Sequence, residues 1–391
     1  MEKNLNILSQ VATLGLKKEV YTEKIEDEKG FYFLALENGL IGAIYHALQK
    51  DLISQTLHDR LTKDYFAYLA SDVKYQQAIK KLNQILNENK IDHIFLKGSV
   101  LKNLYPESYM RAMGDIDLLV REQDVKRVHQ VFKENDILLS QRSDAHDLFI
   151  MYQEITVEIH PRIYKAFNPK YEFLLVKPWE YTVQKELFEF QFKPEFDIIY
   201  LLYHLAKHLD SSGIGLRSVL DISVYVKAYE KEIDLDVLKK MLDATGLNEL
   251  FTHMLKVNEI FFGYKMKKAF YVSPLLSDER YEEILNYIAR SGIHGKGKDF
   301  NPFEARISSN QIKNRSFFLL LVSLIFPRYK TMKGMYPVLE KWWILLPLAW
   351  VYRWFHLVFR KGRDTFRKIK QLRVKKEDIE KTKEIFRDLG L

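Results

Sequence analysis

The chain contains no cysteine. That excludes disulfides, zinc–thiolate sites and thiol nucleophiles, and it fits a reducing compartment. Residues 1–8 lack the apolar run of a signal peptide, so a cytoplasmic location is expected. No stretch provides the roughly 20 predominantly apolar residues that a spanning helix needs. The run 317–326 has ten residues, and 342–359 has 18 and is interrupted by Pro347, Arg353 and His356. His204 and His208 are four apart and share a helix face, but the Glu of a His-Glu-x-x-His zinc motif is missing. The Gly-rich basic stretch 291–301 has no strand before it and no Gly-Lys-Ser/Thr after it, so it reads as a linker.

Charge of one sign is also lacking over most of the chain. The net charge is +8, yet residues 327–391 hold 17 Lys/Arg against 7 Asp/Glu, while the rest holds 43 against 45. The basic character belongs to the C-terminal tail, and the remainder offers no dedicated nucleic-acid surface. With 391 residues and 47% hydrophobic content, the chain is long enough for two or three domains and a sizeable core.

The stretch 95–120 is the most informative. It reads as a short apolar strand, a Gly98-Ser99 turn, a helix over about 99–104, and a second strand with two aspartates. Side chains alternate along a strand, so Asp115, Asp117 and Leu119 share one face and Ile116, Leu118 and Val120 face the core. Neighbouring carboxylates repel, and a hard divalent cation is their natural counter-ion, Mg²⁺ or Mn²⁺. Gly98 permits close backbone approach, and Ser99 adds a hydroxyl at a helix start, where phosphate is attracted. In the strand 155–160, Thr156, Glu158 and His160 alternate with Ile155, Val157 and Ile159. Glu158 is thereby the candidate third carboxylate, with His160 at the rim.

The order Leu96-Lys97-Gly98-Ser99, Tyr105-Pro106, Arg111, then Gly-Asp-Ile-Asp-Leu-Leu-Val over 114–120 resembles the DNA-polymerase-beta-like nucleotidyltransferase superfamily. More narrowly, it resembles the bacterial proteins called nucleotidyltransferase family protein. The resemblance implies that the Gly-Ser turn binds triphosphate, that Asp115 and Asp117 bind two metals, and that Glu158 completes the site. Lys97 or Arg111 would then assist the β- and γ-phosphates. Fifteen residues separate Ser99 from Asp115, more than the superfamily's usual interval. A similar His, Gly-Leu, Asp-Ile order in the narrower group suggests that His208, Arg217 and Asp221 line the cleft opposite the metals. The alternative for Arg217 and Asp221, four apart, is a structural ion pair.

The expected architecture is α+β. A helical region (1–90) precedes a small mixed sheet of the polymerase-beta-like type with helices on one side (91–165). A helical domain (166–300) and an aromatic, basic region (301–391) follow. Residues 31–49 read as one helix, 52–89 as one or two, and 123–134 as another. The expected activity is transfer of an NMP from an NTP to an unidentified hydroxyl or phosphate acceptor. Rival readings are a metal-dependent glycosyltransferase, a non-catalytic nucleotide-binding or membrane-adaptor protein, and a toxin-like enzyme modifying tRNA or protein. Residues 342–376 combine Trp342, Trp343, Trp350, Trp354 and Tyr352 with a basic run, which suits an anionic membrane surface on its cytoplasmic side; nucleic acid ranks second. Pro347 is expected to kink that segment.

Overall fold

The computed structural model describes residues 2–143, 146–164, 171–295, 297–298, 300–312, 322, 325–336, 338–359 and 375–391. The chain separates into two units. The first comprises residues 1–209, 213–300 and 388–390, and the second 210–212, 301–387 and 391.

The first unit is mixed α+β, built on one seven-stranded sheet flanked by helices. The strands are β1 (His93–Phe95), β2 (Ile116–Val120), β3 (Leu138–Arg142), β4 (Asp147–Met151), β5 (Ile155–His160), β6 (Thr182–Glu186) and β7 (Glu189–Phe192), in the order β3-β4-β5-β2-β1-β7-β6. β2 runs antiparallel to β1 and parallel to β5, with Asp117 opposite Glu158. β4 is antiparallel to β5, with Asp147 opposite Ile159. The sheet is therefore wider than residues 91–165 suggest, because the β6–β7 hairpin extends it through a parallel β1–β7 pairing.

One sheet face carries the apolar alternation. Phe95, Ile116, Leu118, Val120, Val157 and Ile159 pack against Leu82, Ile85 and Leu86 of the helix Gln55–Glu88 and against Val128 and Phe132. That helix is single and 34 residues long; Ser54 caps it by accepting from the Leu57 amide. The other face is covered too, contrary to a one-sided sheet. Every residue of β2 is buried, Leu119 included. The helix Pro194–Leu209 brings Tyr200 and His204 within electrostatic reach of Lys97 and Asp117 on that face.

Residues 31–49 are not one helix. Asp27 caps Glu28–Glu37, and Gly39 at φ +69° breaks the chain before the short helix Ile41–Ile44. Only glycine takes that backbone conformation without strain.

In the second unit, Thr382 donates to buried Glu304 at 2.6 Å, tying the helix Lys376–Asp388 to Pro302–Ile312. The helix Leu346–Phe359 starts one residue before Pro347. Pro347 therefore sits in the first turn, where its missing N–H costs nothing, and it does not kink the segment. The indoles of Trp350 and Trp354 donate to the carbonyls of Pro327 and Ile325. Trp342, Trp343, Ile344, Leu348, Tyr352 and Phe355 are exposed, each 60% or more. Among the described residues no helix is long and apolar enough to cross a membrane. The apolar run 317–326 for the most part, and the basic run 360–374, lie outside the described residues.

Candidate active site

The centre forms where β1 ends and β2 begins. The Leu96 amide donates to the Asp117 carbonyl at 3.0 Å, so the turn after β1 lies against the aspartate segment. Lys97 takes φ +46° to turn the chain into the four-residue helix Gly98–Leu101. A lysine in that region is strained by ~1–3 kcal/mol, and the conformation accompanies a 2.8 Å ion pair from its Nζ to Asp117 Oδ1. The expected helix 99–104 is split, its second half being the 3₁₀ turn Lys102–Leu104.

A Cβ on Gly98 would lie 2.8 Å from Arg111 Nη1, so what approaches the glycine in this structure is a guanidinium. Arg111 is fixed there by two 2.9 Å hydrogen bonds, from Nε and Nη2, to Asp221, which also accepts from the Tyr105 hydroxyl. The ion pair of Asp221 is thus with Arg111 and not with Arg217 one turn away. Arg217 donates from Nη1 to the Ala112 carbonyl at 2.8 Å, and its buried Nε has no partner among the described residues. The Ser99 hydroxyl is likewise buried and unpartnered among the described residues. His208 meets His204 edge to face, with ring centroids 4.5 Å apart.

Asp115, just before β2, Asp117 within it and Glu158 on β5 each offer a carboxylate oxygen, all within 4.8 Å of one another. Asp117 is 3% exposed and accepts from His160 Nε2 at 2.8 Å as well as from Lys97. Glu158 stands 3.3 Å from the same histidine nitrogen and 3.5 Å from His146 Nε2. His160 is therefore no rim residue; it bridges two of the three carboxylates.

These contacts split the titration of the three acids. Burial, reinforced by repulsion from Asp117, pushes the Asp115 carboxyl up to about 6. Burial would raise Asp117 too, but Lys97 and His160 outweigh it and hold Asp117 well below the ordinary range. Glu158 is lowered, the hydrogen bond from His160 overcoming its burial. His160 is raised against its burial by Asp117 and Glu158. The cluster fits a divalent ion: three acids converge, and Asp115 is left without a bonded cation among the described residues.

A cavity of about 500 Å³, lined by Asn83, Ile94, Asp197 and Tyr225, meets Ser99 but none of the three acids. Burial pushes Asp197 up to about 7, partly offset by a hydrogen bond from Tyr225.

Sequence reasoning passed over His146 and Tyr200, and it treated Lys97 as a phosphate ligand without seeing it as the counter-charge of Asp117. His160 was signalled by the alternation of β5. His146 lies beyond the start of β4 and left no pattern to read.

The site is thus a carboxylate cluster beside a Gly-Ser turn on a mixed sheet. A family model described as an uncharacterised nucleotidyltransferase matches residues 25–263, and the chain belongs to that family, which supports nucleotidyl transfer in general and implies a nucleoside triphosphate substrate. No curated protein and no solved structure matches the chain.

Proposed function

We propose that the chain transfers an NMP from an NTP to a hydroxyl or phosphate acceptor with the help of divalent metal. The observation that carries this reading is the convergence of Asp115, Asp117 and Glu158 within 4.8 Å beside the Gly98-Ser99 turn. These three acids would hold Mg²⁺ or Mn²⁺, which when bound neutralises phosphate charge and lowers the pKa of an acceptor hydroxyl.

The protein's own groups do the positioning. The Gly98 amide and the unpartnered Ser99 hydroxyl donate to the phosphates. Lys97, now on Asp117, turns its ammonium toward the β- and γ-phosphates, and Arg111 directs Nη1 to the turn. Asp221 acts through Arg111, and Arg217 anchors the Ala112 carbonyl ahead of Asp115. His208 is proposed to line the cleft. The depressed pKa of Glu158 suits it to ligation more than to proton abstraction. Because charge spreads over phosphate oxygens in the transition state, placing cations supplies most of the rate. A non-catalytic role is disfavoured because all three carboxylates are present and converge.

The test is a screen of α-labelled NTPs and acceptors with the full chain and Mg²⁺ or Mn²⁺. Label transfer that Asp115→Asn removes supports the reading; label transfer that this variant leaves intact contradicts it.

A second reading concerns the C-terminal unit. Its exposed Trp342, Trp343, Ile344, Leu348, Tyr352 and Phe355 support attachment to an anionic membrane surface without crossing it.

A further inference from the structure

We infer that His146, Glu158 and His160 form a metal position of a different chemical class, one that takes a borderline transition ion such as Zn²⁺ or Co²⁺ in preference to Mg²⁺ or Mn²⁺. The inference goes beyond nucleotidyl transfer and shares only Glu158 with the ligand set proposed for it.

The hairpin β3–β4 and the strand β5 create the juxtaposition. Asp147 pairs with Ile159, so His146 and His160 lie one step further along the same antiparallel pairing. The Ser143 hydroxyl and amide both donate to the His146 carbonyl, and the His146 amide donates back to Ser143 Oγ, which fixes the backbone that presents this imidazole. The two rings stand 5.2 Å apart and tilted by 51°, so they converge without stacking. Ligand atoms of His146, Glu158 and His160 all lie within 4.8 Å of one another. The Glu158 carboxylate divides itself, Oε1 toward His146 and Oε2 toward His160. The side chains are 32%, 18% and 13% exposed, so the position is reachable from solvent.

The donor chemistry separates this position from the aspartate pair. Two imidazoles and one carboxylate suit Zn²⁺, Co²⁺ and similar ions, whereas carboxylates with water suit Mg²⁺ and Mn²⁺. Glu158 would thus bridge a nitrogen-rich position and an oxygen-rich one. An ion on His160 would also draw that ring from Asp117, to which it now donates at 2.8 Å, and leave this carboxylate open to the oxygen-rich position.

The test uses the full chain, stripped by chelator and titrated with Co²⁺ alone. Visible d–d absorption measures occupancy, and contact-shifted imidazole protons in the NMR spectrum report nitrogen ligands. The expected result is one equivalent with two imidazole signals, kept in Asp115→Asn and in millimolar Mg²⁺. Affinity should fall at least tenfold, with the signals lost, in both His146→Ala and the milder His146→Gln, while circular dichroism stays native. Imidazole signals that persist in the His146 variants, or Co²⁺ displaced by millimolar Mg²⁺, would overturn the proposal. Neither readout requires nucleotide, so its failure is separate from that of the nucleotidyl-transfer reading.

Discussion

The sheet centre and the C-terminal unit depart from ordinary folding rules in opposite directions. The centre buries charge: Asp117, Lys97 and His160 sit together with side chains 4%, 17% and 13% exposed. The C-terminal unit exposes apolar rings, with Trp343 at 70% and Trp342 at 61%. Natural sequences break a local rule chiefly where function demands it. The comparison teaches that each departure has its own signature. Buried charge is compensated inside the protein, by Lys97 and His160. Trp342 and Trp343 lie exposed beside the helix Leu346–Phe359, with no ring contact or hydrogen bond of their side chains among the described residues.

The largest effect that would sharpen this contrast concerns the two aspartates. Asp115→Asn and Asp117→Asn should each lower metal-dependent NMP transfer by roughly 10³-fold, since both are proposed ligands. Their stabilities should diverge. Asp117→Asn leaves Lys97 buried without its counter-charge and should cost about 3 kcal/mol in chemical denaturation. Asp117 is 3% exposed, so its loss is not that of a surface carboxylate. Asp115→Asn removes a repelled acid and should leave stability unchanged or raised. Equal destabilisation by both variants would break the distinction between a compensated acid and an uncompensated one.

The next effect tests the exposed surface. Replacing Trp342 and Trp343 with Ala should leave the melting temperature unchanged and weaken binding to anionic vesicles by about 30-fold, from ~2 kcal/mol of lost apolar burial. Flotation that is the same for both proteins would remove the membrane partner. Smaller still, Ser99→Ala should weaken NTP binding roughly tenfold, the worth of one hydrogen bond to a charged group. Calorimetry checks it, and unchanged affinity would remove Ser99 from the cradle.

The smallest effect is a pH dependence. The folded pKa of Asp115, about 6, lies above its ordinary 3.8. The folded chain therefore binds the extra proton between these values, and the unliganded protein should lose stability as pH rises through that window. Metal competes for the same carboxylate, so Mg²⁺ affinity should rise several-fold from pH 5 to 7 and then level off. Affinity that is flat across this range would mean that Asp115 is no ligand.

Much of the sheet centre was legible because strand alternation is a strict period of two. It placed Asp117, Glu158 and His160 on one face, and Asp117 pairs with Glu158 in register. What stayed illegible depended on long-range contact. The partner of Asp221 is Arg111, 110 residues away, whereas helical spacing pointed to Arg217. The β6–β7 hairpin, Thr182–Glu186 and Glu189–Phe192, has charged residues among its apolar ones and reads weakly as strand without its neighbour β1. In the C-terminal unit, Pro347 was read by its power to break helices, and only the observed helix start shows that it opens one.

The most direct test is Mn²⁺ binding followed by electron paramagnetic resonance, with and without a non-hydrolysable NTP, on the full chain. It needs no knowledge of the acceptor. The account predicts that the free-Mn²⁺ signal falls on adding the wild-type chain and falls further with NTP. It also predicts that Asp115→Asn and Asp117→Asn each restore that signal. Mn²⁺ and NTP binding that survives in both variants would contradict a metal-assisted nucleotidyl-transfer centre at these aspartates.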